Sequence, residues 1–184
     1  MKSNRKPLTY EYEHNRAYSR YRWASRLIIW IGVLNVVSLL VSIIQFTRGE
    51  AEPFFYFCFA SNDLIFQLLL LIPNFFLNYR WLYFLIAIII ALASTSGMVL
   101  LGVYASQGKR KALWASMIIY LIDSLLIIPC YFVGEYAVSI LLMSILHIVF
   151  LTIIAIAIYY YNKIIIIAEK YHILKEEGEE NEHI

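Results

Sequence analysis

Four long apolar runs, separated by short polar segments, are the main pattern of this chain. They cover residues 27–46, 82–105, 112–132 and 137–161. Each run reaches the roughly 20 mostly apolar residues that a helix needs to cross a bilayer, and each is far longer than an ordinary strand. Because a chain in lipid must pair its own backbone polar groups, such runs form helices. The pattern therefore predicts an all-α integral membrane protein that contains a four-transmembrane-helix bundle.

A fifth apolar stretch, residues 54–77, lies between the first two of these runs. The polar residues Ser61, Asn62 and Asp63 interrupt it near its middle, and Pro73 ends any helix that starts after them. We expect a re-entrant or interfacial segment that enters and leaves on the outer side of the membrane. A fifth crossing is the alternative.

The basic residues favour four crossings over five. Of the 15 Lys and Arg residues, 13 lie in the first 26 residues, in the cluster 109–111, or after Tyr161. Segments rich in Lys and Arg stay on the cytoplasmic side of a membrane. Four crossings place all three groups on that side, whereas five would put the amino-terminal group and the cluster on opposite sides. We therefore expect a multi-pass protein of the cell membrane with both termini in the cytoplasm.

The segments that flank the membrane domain, residues 27–161, carry most of the charge. Residues 1–26 form a basic, Tyr-rich cytoplasmic or interfacial segment, and residues 162–184 form a cytoplasmic tail that is acidic at its end. We expect basic side chains on this face to contact anionic lipid headgroups. These residues are Arg16, Arg20, Arg22, Arg26, Lys109, Arg110 and Lys111. Nucleic acid is not an expected partner, because the basic run is short and adjoins the membrane.

The composition and the absence of known motifs limit the kinds of function that this protein can have. The chain is 61% hydrophobic and 15% charged, against about 25% charged residues in soluble domains. Its two cysteines exclude a disulfide scaffold and a cysteine-based zinc site. The sequence has neither a metal-ligand spacing nor a nucleophile–base motif. We therefore expect no cofactor, no metal and no catalytic residue, and a non-enzymatic protein rather than an enzyme.

Each predicted span carries a polar residue near its midpoint, and those of the last two spans are the most informative. Asp123 lies twelve residues before Glu135, the centre of the turn, and His147 lies twelve residues after it. In an antiparallel hairpin both would lie at the same depth, about 18 Å from the turn at a rise of about 1.5 Å per residue. An unpaired acid at that depth costs about 2.5–3.5 kcal/mol, so we expect Asp123 to pair with His147.

The candidate intramembrane polar site also includes residues from other parts of the chain. Asn35 lies in the first span, Tyr120 lies one helical turn before Asp123, and Asp63 lies in the interrupted stretch. One interpretation is that these side chains bind or relay a proton, a cation or a polar solute. The other is that they form interhelical hydrogen bonds, with close helix approach permitted by Gly97 and nearby small residues.

Several short motifs also follow one another in a particular order. Arg26 and Asn35 come first, followed by Tyr56–Ser61, by Gly108–Lys111 leading to Tyr120 and Asp123, and by His147 before a Tyr-rich exit. Over residues 20–170 this order resembles that of uncharacterised small four-span membrane proteins of Gram-positive bacteria. The resemblance implies a bacterial cell-membrane protein and no particular activity. In those proteins a Pro comes soon after the Ser, whereas Asn62 and Asp63 follow Ser61 here.

Three functions are compatible with these features. The first is a non-enzymatic, transport-related protein that binds a small solute, an ion or a proton at Asp123 and His147. Because four spans rarely enclose a pathway alone, we expect such a protein to form a homo-oligomer or to have a membrane partner. The second is a structural or regulatory subunit of a larger membrane complex. The third is a membrane-embedded enzyme that modifies lipid, which ranks last because no nucleophile and base can be named.

Overall fold

A computed structural model of the chain describes residues 9–48, 59–62, 64–65, 80–133 and 137–181. Almost all of these residues are helical. The helices are α1 (Tyr10–Arg48), α2 (Arg80–Ser106), α3 (Arg110–Leu125), α4 (Ile127–Val133) and α5 (Ala137–Asn181). Residues 60–62 and 64–65 are also helical, and residues 59–62 with 64–65 are called the polar segment below. The rest of the predicted stretch 54–77, including Asp63, lies outside the described residues.

The described part of the chain contains four helices that are long and apolar enough to cross a membrane. Their apolar segments are Tyr10–Val41, Trp81–Ser106, Arg110–Pro129 and Ile140–His172. A helix satisfies its own backbone hydrogen bonds, which is the condition for a polypeptide to lie in lipid. The prediction of an almost entirely helical chain, with four helices long and apolar enough to span a membrane, is confirmed for the described residues.

Two of these helices extend well beyond the predicted apolar runs. α1 begins at Tyr10, so the basic flank and the first apolar run belong to one continuous helix. Residues 10–48 contain no proline, and Glu11 and Glu13 in the first turn interact favourably with the helix dipole. α5 likewise continues the last apolar run as far as Asn181. Both helices therefore carry a charged and aromatic extension.

The third apolar run is interrupted after Leu125. Pro129 has no N–H to donate to the carbonyl of Leu125 four residues earlier, which favours a break at this point. At the break, the N–H of Leu126 donates to the carbonyl of Asp123 at 3.0 Å. This bond spans three residues, as in a 3₁₀-helix, whereas an α-helical bond spans four. α4 then resumes at Ile127. Asp123 consequently lies in the last turn of α3, beside the break.

The helices pack as antiparallel neighbours. α1 contacts α2 and α5, and α3 contacts the same two helices. Near one end of this arrangement, Tyr21 donates a hydrogen bond to the carbonyl of Ala105, and its ring lies 5.7 Å from that of Tyr161. The end that contains these three residues is called the basic end, because Lys and Arg residues of α1, of the α2–α3 turn and of α5 lie beside it.

An apolar core lies at the centre of the packing. On α1 and α5 its members recur at intervals of three or four residues, which places them on one face of each helix. They include Ala24, Ile28 and Ile31 of α1, Met98 of α2, Tyr120 of α3 and Ile154 of α5. Large apolar side chains such as Trp30, Leu85 and Ile148 point away from this core and are exposed. Apolar residues on both the inner and the outer faces are what a protein in a hydrocarbon solvent requires.

Two glycines bring α1 and α2 close together. A Cβ added at Gly102 would lie 2.9 Å from the backbone nitrogen of Ile29, and one at Gly32 would lie 3.2 Å from the carbonyl oxygen of Thr95. A Cβ at Gly97, by contrast, would meet no atom within 4 Å. Gly97, which the sequence suggested as the point of close approach, therefore does not serve this purpose, since it faces the space beside α2.

We expect Gly102→Ala to lower the free energy of unfolding in detergent by about 1 kcal/mol or more, because overpacking against fixed backbone costs about 1–3 kcal/mol. The matched control is Gly97→Ala, for which the better helix propensity of Ala raises stability by up to about 1 kcal/mol. Thermal unfolding followed by circular dichroism measures both. A Gly102→Ala variant as stable as Gly97→Ala would show that α1 and α2 do not approach closely at this point.

Candidate functional site

Asp123 and His147 lie next to each other between α3 and α5. The Nε2 atom of His147 is 3.0 Å from Oδ2 of Asp123. Both residues are buried, with exposed fractions of 1% for His147 and 4% for Asp123. Because α3 and α5 run antiparallel, residues that are equally far from their connection meet at the same level. The structure therefore brings together the two ionisable residues that the sequence spacing placed at equal depth.

The carboxylate of Asp123 is also the anchor for the polar segment. Its Oδ2 atom accepts the backbone N–H of Ala60 at 2.8 Å. Its Oδ1 atom accepts the backbone N–H of Ser61 at 3.0 Å and the hydroxyl of Ser61 at 2.5 Å. With His147, these contacts use all of the roughly four acceptor positions of a carboxylate. Such charge-assisted hydrogen bonds offset the large cost of removing an acid from water.

The hydrogen bonds of His147 define how many protons the pair holds. Its Nδ1 atom lies 2.8 Å from the carbonyl oxygen of Met143, and since a carbonyl can only accept, Nδ1 must donate. The contact between Nε2 and the carboxylate of Asp123 then needs one further proton, on either atom. The pair is an imidazolium with a carboxylate or a neutral imidazole with a neutral acid. In both forms it holds one shared proton and has no net charge.

Aromatic side chains enclose the pair. The ring of Tyr120, one turn before Asp123 on α3, stacks on the His147 ring with centroids 4.9 Å apart and an interplanar angle of 12°. Phe59 and Phe150 contact Tyr120 edge to face at 5.9 and 6.1 Å. These rings keep the surroundings of the shared proton apolar.

The other polar residues of the interior form links between neighbouring helices. The amide of Asn35 in α1 donates to the Thr95 hydroxyl in α2 at 2.5 Å. The amide of Asn62 in the polar segment and the hydroxyl of Ser94 are 3.3 Å apart. Asn35 thus bonds α1 to α2, and among the described residues it makes no hydrogen bond to the Asp123–His147 pair. The Oδ1 atom of Asn35 is buried and has no hydrogen-bond partner among the described residues.

Two partners in this site were not assigned from the sequence. Ser61 supplies two donors to Asp123, and Asn62 connects the polar segment to α2. The signal that could have identified them is the polar interruption of an apolar stretch, from which the re-entrant or interfacial segment was predicted. Asp63, the residue singled out there, lies outside the described residues.

A groove of about 530 Å³ lies beside the pair, between α2 and α3. Its lining is mainly apolar and includes Met98, Leu101, Tyr104, Ile119 and Ile122. The polar residues in its wall are Ser61, Ser94 and Asp123, and each already makes hydrogen bonds within the protein. The groove therefore suits a molecule with an apolar body more than one that needs many hydrogen bonds.

The residues expected to contact lipid headgroups are all exposed. They are Arg16, Arg20, Arg22, Arg26, Lys109, Arg110 and Lys111. The ammonium of Lys109 lies over the Tyr104 ring, 4.1 Å from its centroid, so this cation is held at the basic end of the groove.

Within the described ranges, no group of three or more His, Cys, Asp or Glu side chains could hold a metal ion. Comparison of the chain with family models, with curated proteins and with solved structures finds no match. We therefore infer the chemistry of this site from its geometry.

Asp123→Asn is expected to increase amide hydrogen exchange at Ala60 and Ser61 by about tenfold or more. The amide replaces a charged acceptor with a neutral one, and hydrogen bonds to charged groups are worth about 1.5–3 kcal/mol. Mass spectrometry of the peptide that covers residues 59–62 gives the exchange rate. The control is Ser124→Ala, which removes a hydroxyl whose hydrogen bond among the described residues is to the Tyr120 carbonyl of its own helix. Equal exchange in the two variants would contradict the anchoring role of Asp123.

Proposed function

We propose that this chain is a non-enzymatic, transport-related membrane protein that binds and exchanges a proton at the Asp123–His147 pair. The observation that supports this proposal is the single proton required between His147 Nε2 and Asp123 Oδ2, in a buried pair. Removing that proton leaves a net negative charge in an apolar interior, and adding another leaves a net positive one. Intramembrane groups with such costs mark proton pathways in many pumps and transporters.

The contacts of Asp123 suggest how proton binding acts on the rest of the protein. A second proton, placed on the carboxylate, converts an acceptor into a donor and weakens its hold on Ala60 and Ser61. Because Ser61 also lines the groove, release of the polar segment changes the groove beside it. Protonation of Asp123 is thereby linked to access for a small solute with an apolar body.

We further propose four crossings of the cell membrane, with both termini in the cytoplasm. In support, the contacts of Tyr21 with Ala105 and Tyr161 place three basic regions at one end, as the positive-inside rule requires. Residues 54–77 then form a re-entrant or interfacial segment on the outer side. Because four helices rarely enclose a pathway alone, the functional unit is a homo-oligomer or a complex with a membrane partner.

A second candidate is a structural or regulatory subunit of a larger membrane complex. One observation favours it: all of the acceptor positions of Asp123 are used within the protein. In that case the carboxylate serves only to fasten the polar segment, and the proton on the pair stays in place. The two candidate functions predict different proton flux and different folded yield when Asp123 or His147 is replaced by a residue that cannot titrate.

We expect Asp123→Asn and His147→Gln each to reduce voltage-driven proton flux to the level of protein-free vesicles. Both variants keep hydrogen-bonding side chains but remove a titratable group. The measurement uses purified protein in proteoliposomes with a pH-sensitive dye inside. Ser144→Ala is the control, since Ser144 lies near His147 on α5 and, in the part of the chain that the structure describes, its hydroxyl bonds to the Ile140 carbonyl of its own helix.

Proton flux and folded yield together separate the two candidates. Loss of flux at normal yield supports the proton site. Absence of flux in the unaltered protein, with yield reduced only by substitution of the pair, supports the structural subunit.

The topology has its own test. In a chain with Cys58 and Cys130 replaced by Ser, we expect single cysteines at Gln107 and Glu52 to react with a membrane-impermeant reagent from opposite sides. Labelling of intact cells should therefore modify residue 52 and spare residue 107. Modification of both from outside would contradict the four-crossing arrangement.

A further inference from the structure

A second cavity lies far from the Asp123–His147 pair, at the basic end. It is a cleft of about 290 Å³ between the amino-terminal part of α1 and the C-terminal part of α5. The α1 side contributes Tyr12, Glu13, Arg16, Ala17 and Arg20, and the α5 side contributes Tyr160, Lys163 and Ile167. The α1 positions fall one helical turn apart, at 12–13, 16–17 and 20, and the α5 positions are three and four residues apart, so each set lies on one helical face.

The cleft has an excess of positive charge above an apolar floor. Arg16, Arg20 and Lys163 face it, against the single carboxylate of Glu13. Within the described ranges, no ion pair joins Glu13 to any of these three cations. Ala17 is almost fully buried beneath them. Like charges placed together repel one another, so a cleft of this kind is stabilised by an anion.

One of the three cations is already oriented. The guanidinium of Arg20 donates to the Tyr160 hydroxyl at 2.5 Å, and its carbon atom lies 5.5 Å from the centre of the same ring. This bond uses one of the five N–H donors of the guanidinium. The Tyr160 oxygen accepts here and keeps its own hydrogen as a donor. Arg20 and Tyr160 therefore present several fixed donors at the cleft.

We propose that this cleft is a binding site for a phosphate-bearing anion. A phosphate group has several acceptor oxygens in a compact shape, and arginine recognises it through parallel N–H···O bonds, while lysine adds a point charge. Arg16 and Arg20 come from α1, and Lys163 comes from α5, so the anion joins the two helices. The site is separate from the proton site and does not depend on the function proposed above.

Binding in the cleft can be distinguished from non-specific electrostatic attraction to a charged membrane surface, because the two depend on different residues. Arg22 and Arg26 are exposed on the same helix but do not line the cleft. Non-specific attraction would depend on these two arginines as much as on Arg16 and Arg20. Binding in the cleft depends on Arg16, Arg20 and Lys163. The phosphate group can belong to a lipid headgroup or to a soluble phosphate compound, and both have the same recognition chemistry.

The experiment uses the full chain in phosphatidylcholine nanodiscs and has two arms. Inorganic phosphate is titrated by calorimetry in the first arm. In the second, nanodiscs contain phosphatidic acid as a minor component, and native mass spectrometry counts the phosphatidic acid molecules retained on the protein. Binding confined to the second arm identifies a lipid headgroup as the source, and binding in the first identifies a soluble anion.

The test variant is the double substitution Arg16→Gln and Lys163→Gln, which removes one charge from each helix and leaves the Arg20–Tyr160 bond intact. The control is Arg22→Gln with Lys170→Gln, which removes the same charge from the same two helices outside the cleft. Loss of a charge-assisted hydrogen bond costs about 1.5–3 kcal/mol, so we expect the test variant to bind at least about tenfold more weakly. The control should change affinity by less than about twofold.

Either of two results would overturn the proposal. One is the absence of binding to the unaltered protein in both arms. The other is an equal loss of binding in the test and control variants, which would indicate attraction by overall charge. Gel filtration verifies that both variants fold, and because all four substituted side chains are exposed, we expect unchanged elution.

Discussion

The cost of placing an acid in an apolar interior is the constraint on which the rest of this structure depends. Asp123 has a carboxylate that is almost completely buried, and an isolated charge there would be prohibitive. The protein meets the cost with a histidine from α5 and three donors from the polar segment. These bonds join α3, α5 and the polar segment at a single carboxylate.

In that arrangement the carboxylate of Asp123 makes two kinds of contact. It shares a proton with His147, and it holds a short helical segment that also borders a groove. If the pair gains or loses a proton, as we propose, the hydrogen bonds of the polar segment change with it. Static interhelical bonds such as that between Asn35 and Thr95 have no titratable member, so they stabilise the packing of α1 on α2 without this link.

The two ends of the long helices have different chemistry. Inside the apolar core, polar side chains are few, and they make hydrogen bonds to one another or to backbone carbonyls. At the basic end, α1 and α5 continue past the core, and their aromatic residues pack together, as with Tyr21 and Tyr161. There the cations of Arg16, Arg20 and Lys163 meet around a cleft. The same helix pair therefore supports the buried interior and builds a separate charged surface.

The sequence alone determined the helical class and the four apolar helices able to span a membrane that the described residues contain, because both depend on the length and polarity of continuous runs. It also placed Asp123 level with His147, since equal spacing from a turn sets depth in a helical hairpin. Only the tertiary structure decided which other groups meet. The backbone N–H donors of Ala60 and Ser61 leave no mark in a sequence, and the presence of Lys163 and Arg16 in one cleft depends on how α1 and α5 are rotated. The close approach at Gly102 rather than Gly97 has the same origin, because the rotation of a helix against its neighbour is fixed by packing along its whole length and not by the local pattern.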